Sequence, residues 1–137
     1  MGIITVIMIF METKNIKPPV WVETQSDLVQ LVIQVIRQPR IAVDTESNSL
    51  FAYQEKVCLI QISTPETDYL IDPFAISDLS PLAPVFADAN VEKIFHAAEY
   101  DILCLKRDYH FEFHGIFDTM IAARILGLPE IGLGSLL

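Results

Sequence analysis

The sequence predicts an α/β fold in which a mixed β-sheet carries helices on both faces. The runs at 57–64 and 68–73 are strongly β-forming and are separated by three loop-forming residues, which is typical of an antiparallel hairpin. Downstream of them, strand-like runs alternate with helical repeats, which favours parallel strands in the same sheet. The chain has 137 residues, 52% of them hydrophobic, so we expect one globular domain with its own core.

The first predicted element is a helix over 28–37, where apolar residues recur at helical spacing. Thr24 and Asp27 resemble the capping box that begins such a helix. The next element is a strand over 38–46, which leads into a polar loop over 47–56.

The rest of the chain follows the strand–helix alternation. Its predicted elements are a helix over 77–87, a strand over 92–96, a helix over 98–109, a strand over 115–118, a helix over 119–126 and the start of a helix over 133–137. Gly127 is expected to end the preceding helix as its C′ residue, because glycine adopts the left-handed conformation required there.

The charge and the cysteines narrow the class of protein. The net charge is −9, from 18 acidic and 9 basic residues, which disfavours a broad basic surface that binds phosphates unaided. The negative net charge still allows a nucleic-acid enzyme in which bound metal ions supply the positive charge. Cys58 and Cys104 lie in apolar runs, which favours two reduced core thiols in a cytoplasmic protein over a disulfide.

The N-terminal residues contain an apolar run at 3–10. With eight residues the run is too short to cross a membrane, which takes about 20 residues, and no basic segment precedes it as in a signal peptide. The run is either an extra strand or an extension ahead of a start at Met11. We therefore expect a cytoplasmic protein without membrane contact, with an N-terminal extension over 1–20 and a domain over 21–137.

Two acidic residues end the first predicted strand. Side chains alternate between the faces of a strand, so Asp44 and Glu46 share one face, while Ile41 and Val43 point to the core on the other. Two like charges on one face repel each other, and a hard divalent cation would relieve that repulsion. The alternative is a strand end that is simply exposed to solvent.

A second group of polar residues surrounds the start of the helix 98–109. His96 ends a strand, Tyr100 follows, and Asp101 lies in the first helical turn. Each has an ordinary structural explanation: acidic residues are favoured near a helix N-terminus, and the histidine and tyrosine can serve in packing. In isolation these explanations outweigh a functional one.

Taken in order, the segments "AVDTE", "KVCLIQIS", "HAAEYD" and "FDTMIAARILG" resemble the ribonuclease D family of 3′–5′ exonucleases, in the ribonuclease-H-like superfamily. The resemblance covers 21–137. It implies a ribonuclease-H-like fold and hydrolysis of phosphodiester bonds at the 3′ end of a nucleic acid, with single-stranded RNA as the expected substrate.

The resemblance also implies roles for particular residues. Asp44, Glu46 and Asp101 match the acids that bind two Mg²⁺ or Mn²⁺ ions and are expected to be both metal-binding and catalytic. Tyr100 matches the aromatic position of the second motif, and His96 stands where that motif often has Asn. Residues expected to contact the terminal nucleotide are Ser47, Asn48, Gln61, His96 and Tyr100.

The sequence departs from the family in one respect. The third motif, Tyr-x-x-x-Asp, is absent, because none of the four tyrosines is followed by Asp at the fourth position. Asp118, in "FDT", is the candidate replacement, but we expect it to cap a helix instead. The prediction is a partial exonuclease domain that lacks the C-terminal part of the fold and is nearly inactive.

Other interpretations remain at this stage. One is a catalytically silent nucleic-acid-binding or regulatory module of the same fold, and another is a ribonuclease-H-like domain with unrelated metal use or only a structural role. If helices of the complete fold are missing, apolar surface is exposed and self-association is expected through it.

Overall fold

A computed structural model describes residues 17–48 and 55–137. Its strands are β1 (Val20–Val22), β2 (Arg40–Ser47), β3 (Val57–Ser63), β4 (Asp68–Ile71), β5 (Glu92–Phe95) and β6 (Ile116–Asp118). Its α-helices are α1 (Gln25–Val35), α2 (Ala83–Ala87), α3 (Glu99–Tyr109), α4 (Thr119–Ile125) and α5 (Leu133–Leu136), and a 3₁₀ turn at Ser80–Leu82 precedes α2. The predicted run at 3–10 and residues 49–54 of the predicted loop lie outside the described residues.

The six strands form one sheet in the order β1-β4-β3-β2-β5-β6. The β2–β3 and β3–β4 pairs are antiparallel, whereas β2–β5, β5–β6 and β1–β4 are parallel. The predicted mixed sheet and hairpin are therefore confirmed. Strand β1 was not predicted, because its three residues are too few to show a period of two, and its pairing partner β4 is distant in sequence.

The main core lies on one face of the sheet. Ile41 and Val43 of β2 belong to it, as predicted, together with Ile60 and Ile62 of β3. Helices α1, α2 and α3 cover this face through Leu28, Leu31, Val35, Val85, Phe86, Cys104 and Leu105. The residues of β2 with even numbers therefore point away from the main core.

The start of α1 confirms the predicted capping interaction. The hydroxyl of Thr24 accepts a hydrogen bond from the backbone N–H of Asp27 at 3.2 Å and donates to the Asp27 carboxylate at 2.6 Å. This arrangement satisfies a backbone donor that the first helical turn leaves unpaired.

The opposite face of the sheet carries α4 and α5. Phe117 of β6 pairs with Ile94 of β5, which pairs with Ala42 of β2, so these three residues share that face. Residues of α4 and α5 line an apolar cleft with Phe117. Helices therefore lie on both faces, as predicted. Leu126 caps the end of α4, and Gly127 follows with φ 70°, which confirms its predicted role.

One buried cation gave no signal in the sequence. Lys93 of β5 is fully buried, and its ammonium donates hydrogen bonds to the backbone carbonyls of Asp88 at 2.6 Å and Val85 at 3.4 Å. Val85 belongs to α2 and Asp88 directly follows it, so both carbonyls lie near the C-terminal end of this helix. The helix dipole favours a positive charge there. Burial lowers the pKa of Lys93.

The predicted helix at 77–87 is shorter in the structure, because Pro81 and Pro84 confine helical geometry to the residues after Leu79.

Both cysteines are free thiols, as predicted, and Cys104 is buried in the core. Cys58 was also predicted to lie in the core, but it is only half-buried. Across residues 17–48 and 55–137, none of the helices combines the length and the hydrophobicity that crossing a bilayer requires.

Candidate active site

The candidate site lies at the end of β2, where its neighbour β5 has already stopped. The β2–β5 pairing extends only to Ala42 and Ile94, so the edge of β2 beyond Ala42 is free on that side. After β5 the chain turns into α3, and the first turn of α3 reaches this free edge. Asp101, only 8% exposed, accepts hydrogen bonds there from the backbone N–H of Thr45 at 3.2 Å and from the Thr45 hydroxyl at 2.6 Å.

Both bonds from Thr45 go to one oxygen of the Asp101 carboxylate, Oδ1. They fix the orientation of the carboxylate and satisfy a strand N–H that would otherwise lack a partner. The middle residue of "DTE" therefore positions Asp101, a role that the motif alone does not reveal.

Asp44 lies beside Asp101 on the face of the sheet away from the main core. Burial, together with the negative charges of Asp101 and Glu46, raises the pKa of Asp44 from 3.8 to about 6. Burial also raises the pKa of Asp101, against the lowering effect of its bonds from Thr45. The predicted acids are thus close enough to repel one another, which is the electrostatic situation that a cation would relieve.

Gln61 stands directly across from Asp44 on β3. Its side chain is 1% exposed, and neither its amide nitrogen nor its amide oxygen has a hydrogen-bond partner among the described residues. An unpaired buried amide costs stability, so a native structure that keeps one usually supplies a partner such as water or a ligand. The amide therefore fits a site that holds a polar ligand beside Asp44.

The chemistry of the donors fits a divalent metal, because carboxylate oxygens are the ligands that Mg²⁺ and Mn²⁺ prefer. The acids are not assembled into a complete set of ligands, however. Within the described ranges, no three His, Cys, Asp or Glu side chains are placed to hold one ion together.

Asp118 is the N-cap of α4, as the sequence predicted, and it has a second role. Its carboxylate accepts hydrogen bonds from the backbone N–H groups of Met120 and Ile121 in α4 and from those of Ala97 and Ala98 before α3. These four bonds help to lower its pKa. Ala97 has φ 60°, a strained conformation for a residue with a side chain, and the hydrogen bonds that the N–H groups of Ala97 and Ala98 donate to Asp118 hold it in place.

Ser47 and Tyr100 meet at Glu55, a residue that the sequence analysis did not single out. Glu55 accepts hydrogen bonds from the Ser47 hydroxyl at 2.7 Å and from the Tyr100 hydroxyl, and it forms an ion pair with Arg107 at 2.9 Å. Glu55 therefore links the chain after β2 to α3. No sequence signal identifies this link, because its members come from three separate segments.

Asn48 has a different environment from Ser47. Its side-chain oxygen accepts a hydrogen bond from the backbone N–H of Lys56 at 2.7 Å, and its own N–H donates to the Lys56 carbonyl at 3.0 Å. These bonds close the base of the loop between β2 and β3. The structure thus gives Asn48 a structural role, and its predicted contact with a nucleotide stays a prediction.

An apolar groove runs between α3 and α4, next to the site. Leu103 and Ile121 line it and are 61% and 50% exposed, and Arg124 and Glu99 lie at it as charged neighbours. The predicted self-association through exposed apolar surface stays a prediction.

Gln61 offers a test of this view of the site. We expect Gln61→Leu to raise the free energy of unfolding by about 1 kcal/mol, because the substitution removes an unpaired buried amide. Urea unfolding measures the change. Gln34→Leu, at an exposed position of α1, is the matched control and should stay within about 0.5 kcal/mol of wild type. A clear loss of stability in Gln61→Leu would mean that the amide is already paired.

Comparison with known proteins places this arrangement in a family. A sequence model described as 3′–5′ exonuclease matches residues 19–137. The chain belongs to this 3′–5′ exonuclease family. It is 44% identical over 119 residues to Protein RRP6-like 3 of Arabidopsis thaliana, a match that covers 86% of this chain and 13% of that protein.

Two further relatives of this chain have names that describe an activity. The chain is 39% identical over 120 residues to Exosome complex exonuclease RRP6 of Saccharomyces cerevisiae, covering 87% of this chain and 16% of that protein. Its structure matches Escherichia coli RNase D, an exoribonuclease involved in structured RNA processing, with a TM-score of 0.76 and 31% identity, covering 82% of this chain and 30% of that one. The resemblance to ribonuclease D and the ribonuclease-H-like fold are therefore confirmed.

The chain spans 13% of the length of the Arabidopsis thaliana relative and 16% of that of the Saccharomyces cerevisiae relative. The family implies use of divalent metal ions. The identity of the metal and the roles of individual residues are not fixed by family membership.

Proposed function

We propose that this chain forms the metal-binding half of a 3′–5′ exonuclease site that acts on the 3′ end of single-stranded RNA. The observation that carries the proposal is the contact between Thr45 and Asp101, which fixes the acid of α3 beside Asp44 at the free edge of β2. Membership of the exonuclease family and the names of the relatives support RNA as the substrate.

Asp44, Glu46 and Asp101 would hold the metal, as Mg²⁺ or Mn²⁺. When bound, a pair of such ions activates a water molecule and stabilises the leaving 3′ oxygen. The protein supplies the rigid support. Val43 and Ile41 anchor β2 in the core, and the two bonds from Thr45 hold Asp101 against the repulsion of its neighbours.

Ser47, Gln61, His96 and Tyr100 are the proposed contacts to the terminal nucleotide, with Asn48 closing the nearby loop. Gln61 contributes an unpaired amide on the Asp44 face. Ser47 and Tyr100 present hydroxyls that Glu55 holds together at the surface. Hydrogen-bonding groups of this kind, beside a metal site, suit a sugar and a phosphate better than they suit an apolar ligand.

The test is a calorimetric titration of the chain with Mn²⁺. We expect Asp44→Asn and Asp101→Asn each to weaken binding by at least about 10-fold, because each removes an anionic oxygen ligand. Asp78→Asn is the control, since Asp78 is exposed and, among the residues that the structure describes, bonds to Ser80 and, through its backbone, to Gln25. Unchanged affinity in Asp44→Asn would favour a ribonuclease-H-like domain with another metal site or only a structural role.

A second candidate is a catalytically silent RNA-binding or regulatory module of the same fold. The observation that favours it is the absence of Tyr-x-x-x-Asp from the sequence. Such a module would bind single-stranded RNA without shortening it, even after the corresponding downstream segment of a relative is joined to it.

A further inference from the structure

His96 makes a single side-chain hydrogen bond within the described residues, and its partner is a hydroxyl with a second neighbour. The Nδ1 atom lies 2.8 Å from the hydroxyl oxygen of Thr119, and the same oxygen lies 3.1 Å from the backbone carbonyl of Phe95. A carbonyl only accepts, so both contacts are hydrogen bonds only in the arrangement in which the Thr119 hydroxyl donates to Phe95 and accepts from His96. In that arrangement Nδ1 carries the hydrogen and Nε2 of the neutral ring has a free lone pair.

His96 directly follows Phe95, the last residue of β5, whose side chain belongs to the main core. Ala42 and Ile94 form the last pair of the β2–β5 register, so Asp44 and His96 each lie two residues beyond that pair, at the same end of the two strands. Gln61 flanks Asp44 from β3 on the other side. His96 thus begins the segment that leads from β5 to Asp101 of α3, at the end of the sheet that carries Asp44.

The position of Thr119 is fixed by its neighbours. Asp118, which pairs with Phe95 in the β5–β6 ladder, bonds to the backbone on both sides of the site, before α3 and at the start of α4. Thr119 follows Asp118 directly and begins α4. The hydroxyl that holds the His96 ring is therefore attached to a rigid part of the fold.

We propose that Thr119 is a positioning residue that holds His96 as its Nδ1–H tautomer, so that Nε2 accepts a hydrogen bond from a hydroxyl of the terminal ribose. The inference rests on the proposed function for the identity of the ligand. A neutral imidazole nitrogen without a hydrogen cannot bind a phosphate oxygen by donation, whereas it is a good acceptor for an O–H group. The chemistry therefore selects the sugar, through either its 2′ or its 3′ hydroxyl.

The first test needs no ligand. Long-range ¹H–¹⁵N NMR spectra of the full chain distinguish the two neutral tautomers of each histidine, and the His96→Gln variant identifies the signals of His96. We expect the Nδ1–H form in wild type and in Thr119→Ser, which keeps the hydroxyl. We expect a mixture of both forms in Thr119→Val, which has the same shape without the hydroxyl. An Nε2–H form in wild type would overturn the proposal.

The second test measures binding of adenosine 5′-monophosphate and of its 2′-deoxy and 3′-deoxy forms in the presence of Mg²⁺. We expect wild type and Thr119→Ser to bind the parent nucleotide about 2- to 10-fold more tightly than one of the deoxy forms, which identifies the hydroxyl that His96 contacts. Thr119→Val should lose this preference. Equal loss of affinity for all three nucleotides, or an unchanged preference in Thr119→Val, would overturn the contact.

The two tests separate this inference from the proposed function. A wild-type chain that binds none of the three nucleotides contradicts the ribose contact and the exonuclease proposal together, whatever the tautomer. A chain that binds them all equally contradicts the ribose contact alone and leaves the exonuclease proposal standing.

Discussion

The 137-residue chain is expected to shorten single-stranded RNA from its 3′ end at least about 10²-fold more slowly than intact Escherichia coli RNase D. By their resemblance to the family's motifs, Asp44, Glu46 and Asp101 correspond to three of its acids. The 137 residues contain no Tyr-x-x-x-Asp, the motif whose tyrosine is expected to orient the attacking water and whose aspartate is the expected fourth acid. Groups that position water or transfer protons commonly contribute on the order of 10² to 10⁴ in rate each. The measurement is a time course of a 5′-labelled RNA with Mg²⁺ or Mn²⁺.

The Asp44→Asn variant gives the background for this assay. If wild type trims RNA no faster than this background, the result agrees with the expectation. A wild-type rate within about tenfold of that of intact Escherichia coli RNase D contradicts it. Joining the corresponding downstream segment of yeast RRP6 to the chain then separates the two candidate functions. Recovery of trimming supports an exonuclease site, whereas RNA binding without trimming supports a silent module.

The second expectation concerns stability and pH. Between pH 7.5 and 5, the free energy of unfolding of the metal-free chain should rise by about 1 kcal/mol through Asp44 alone. The pKa of Asp44 is raised to about 6 in the folded state, from 3.8, so the folded chain binds this proton more tightly than the unfolded chain. Protonation therefore begins to stabilise the fold as the pH falls through 6, and the gain is complete below 3.8. Asp101 contributes in the same direction.

The magnitude follows from the size of the pKa shift. Each unit corresponds to about 1.4 kcal/mol, so the complete shift sets an upper limit of about 3 kcal/mol, and partial solvation of the carboxyl reduces it to about 2 kcal/mol. Asp44→Asn should therefore be more stable than wild type by about 2 kcal/mol at pH 7.5, and by about half as much at pH 5. Urea unfolding at several pH values measures both differences.

Asp78→Asn serves as the control for this experiment. Hydrogen bonds from Ser80 lower the pKa of Asp78, so this carboxylate is ionised in both states between pH 5 and 7.5 and does not affect the slope. Addition of Mg²⁺ at pH 7.5 should stabilise wild type but not Asp44→Asn, because binding to the folded state alone raises its stability. A stability difference between wild type and Asp44→Asn that does not shrink from pH 7.5 to 5 would contradict the raised pKa of Asp44, which burial chiefly causes.

Much of the site was predictable because its rules are local. The alternation of side chains along a strand places Asp44 and Glu46 opposite Ile41 and Val43, and the core confirms that division. Asp118 before a helical run indicates an N-cap, and α4 confirms it. The motif spacing identified the family, which the comparison with 3′–5′ exonucleases confirmed.

Other features depend on residues that are distant in the chain. Thr45 and Asp101 are 56 positions apart, and His96 and Thr119 are 23 apart, so no periodicity reveals that they bond. In the sequence, Lys93 is only a charged residue within a predicted strand. The structure shows that the residues at the end of α2 lie beside it and accept its hydrogen bonds.

The sequence by itself thus determined which acids share a face and which family the motifs belong to, because strand alternation and motif spacing are properties of neighbouring residues. Only the tertiary structure decided how those acids are held. The end of β5 leaves one edge of β2 free, and α3 fills it with Asp101, while β6 brings Thr119 to His96. These placements follow from the order of strands in the sheet, which is set by the packing of the whole chain and not by any single segment.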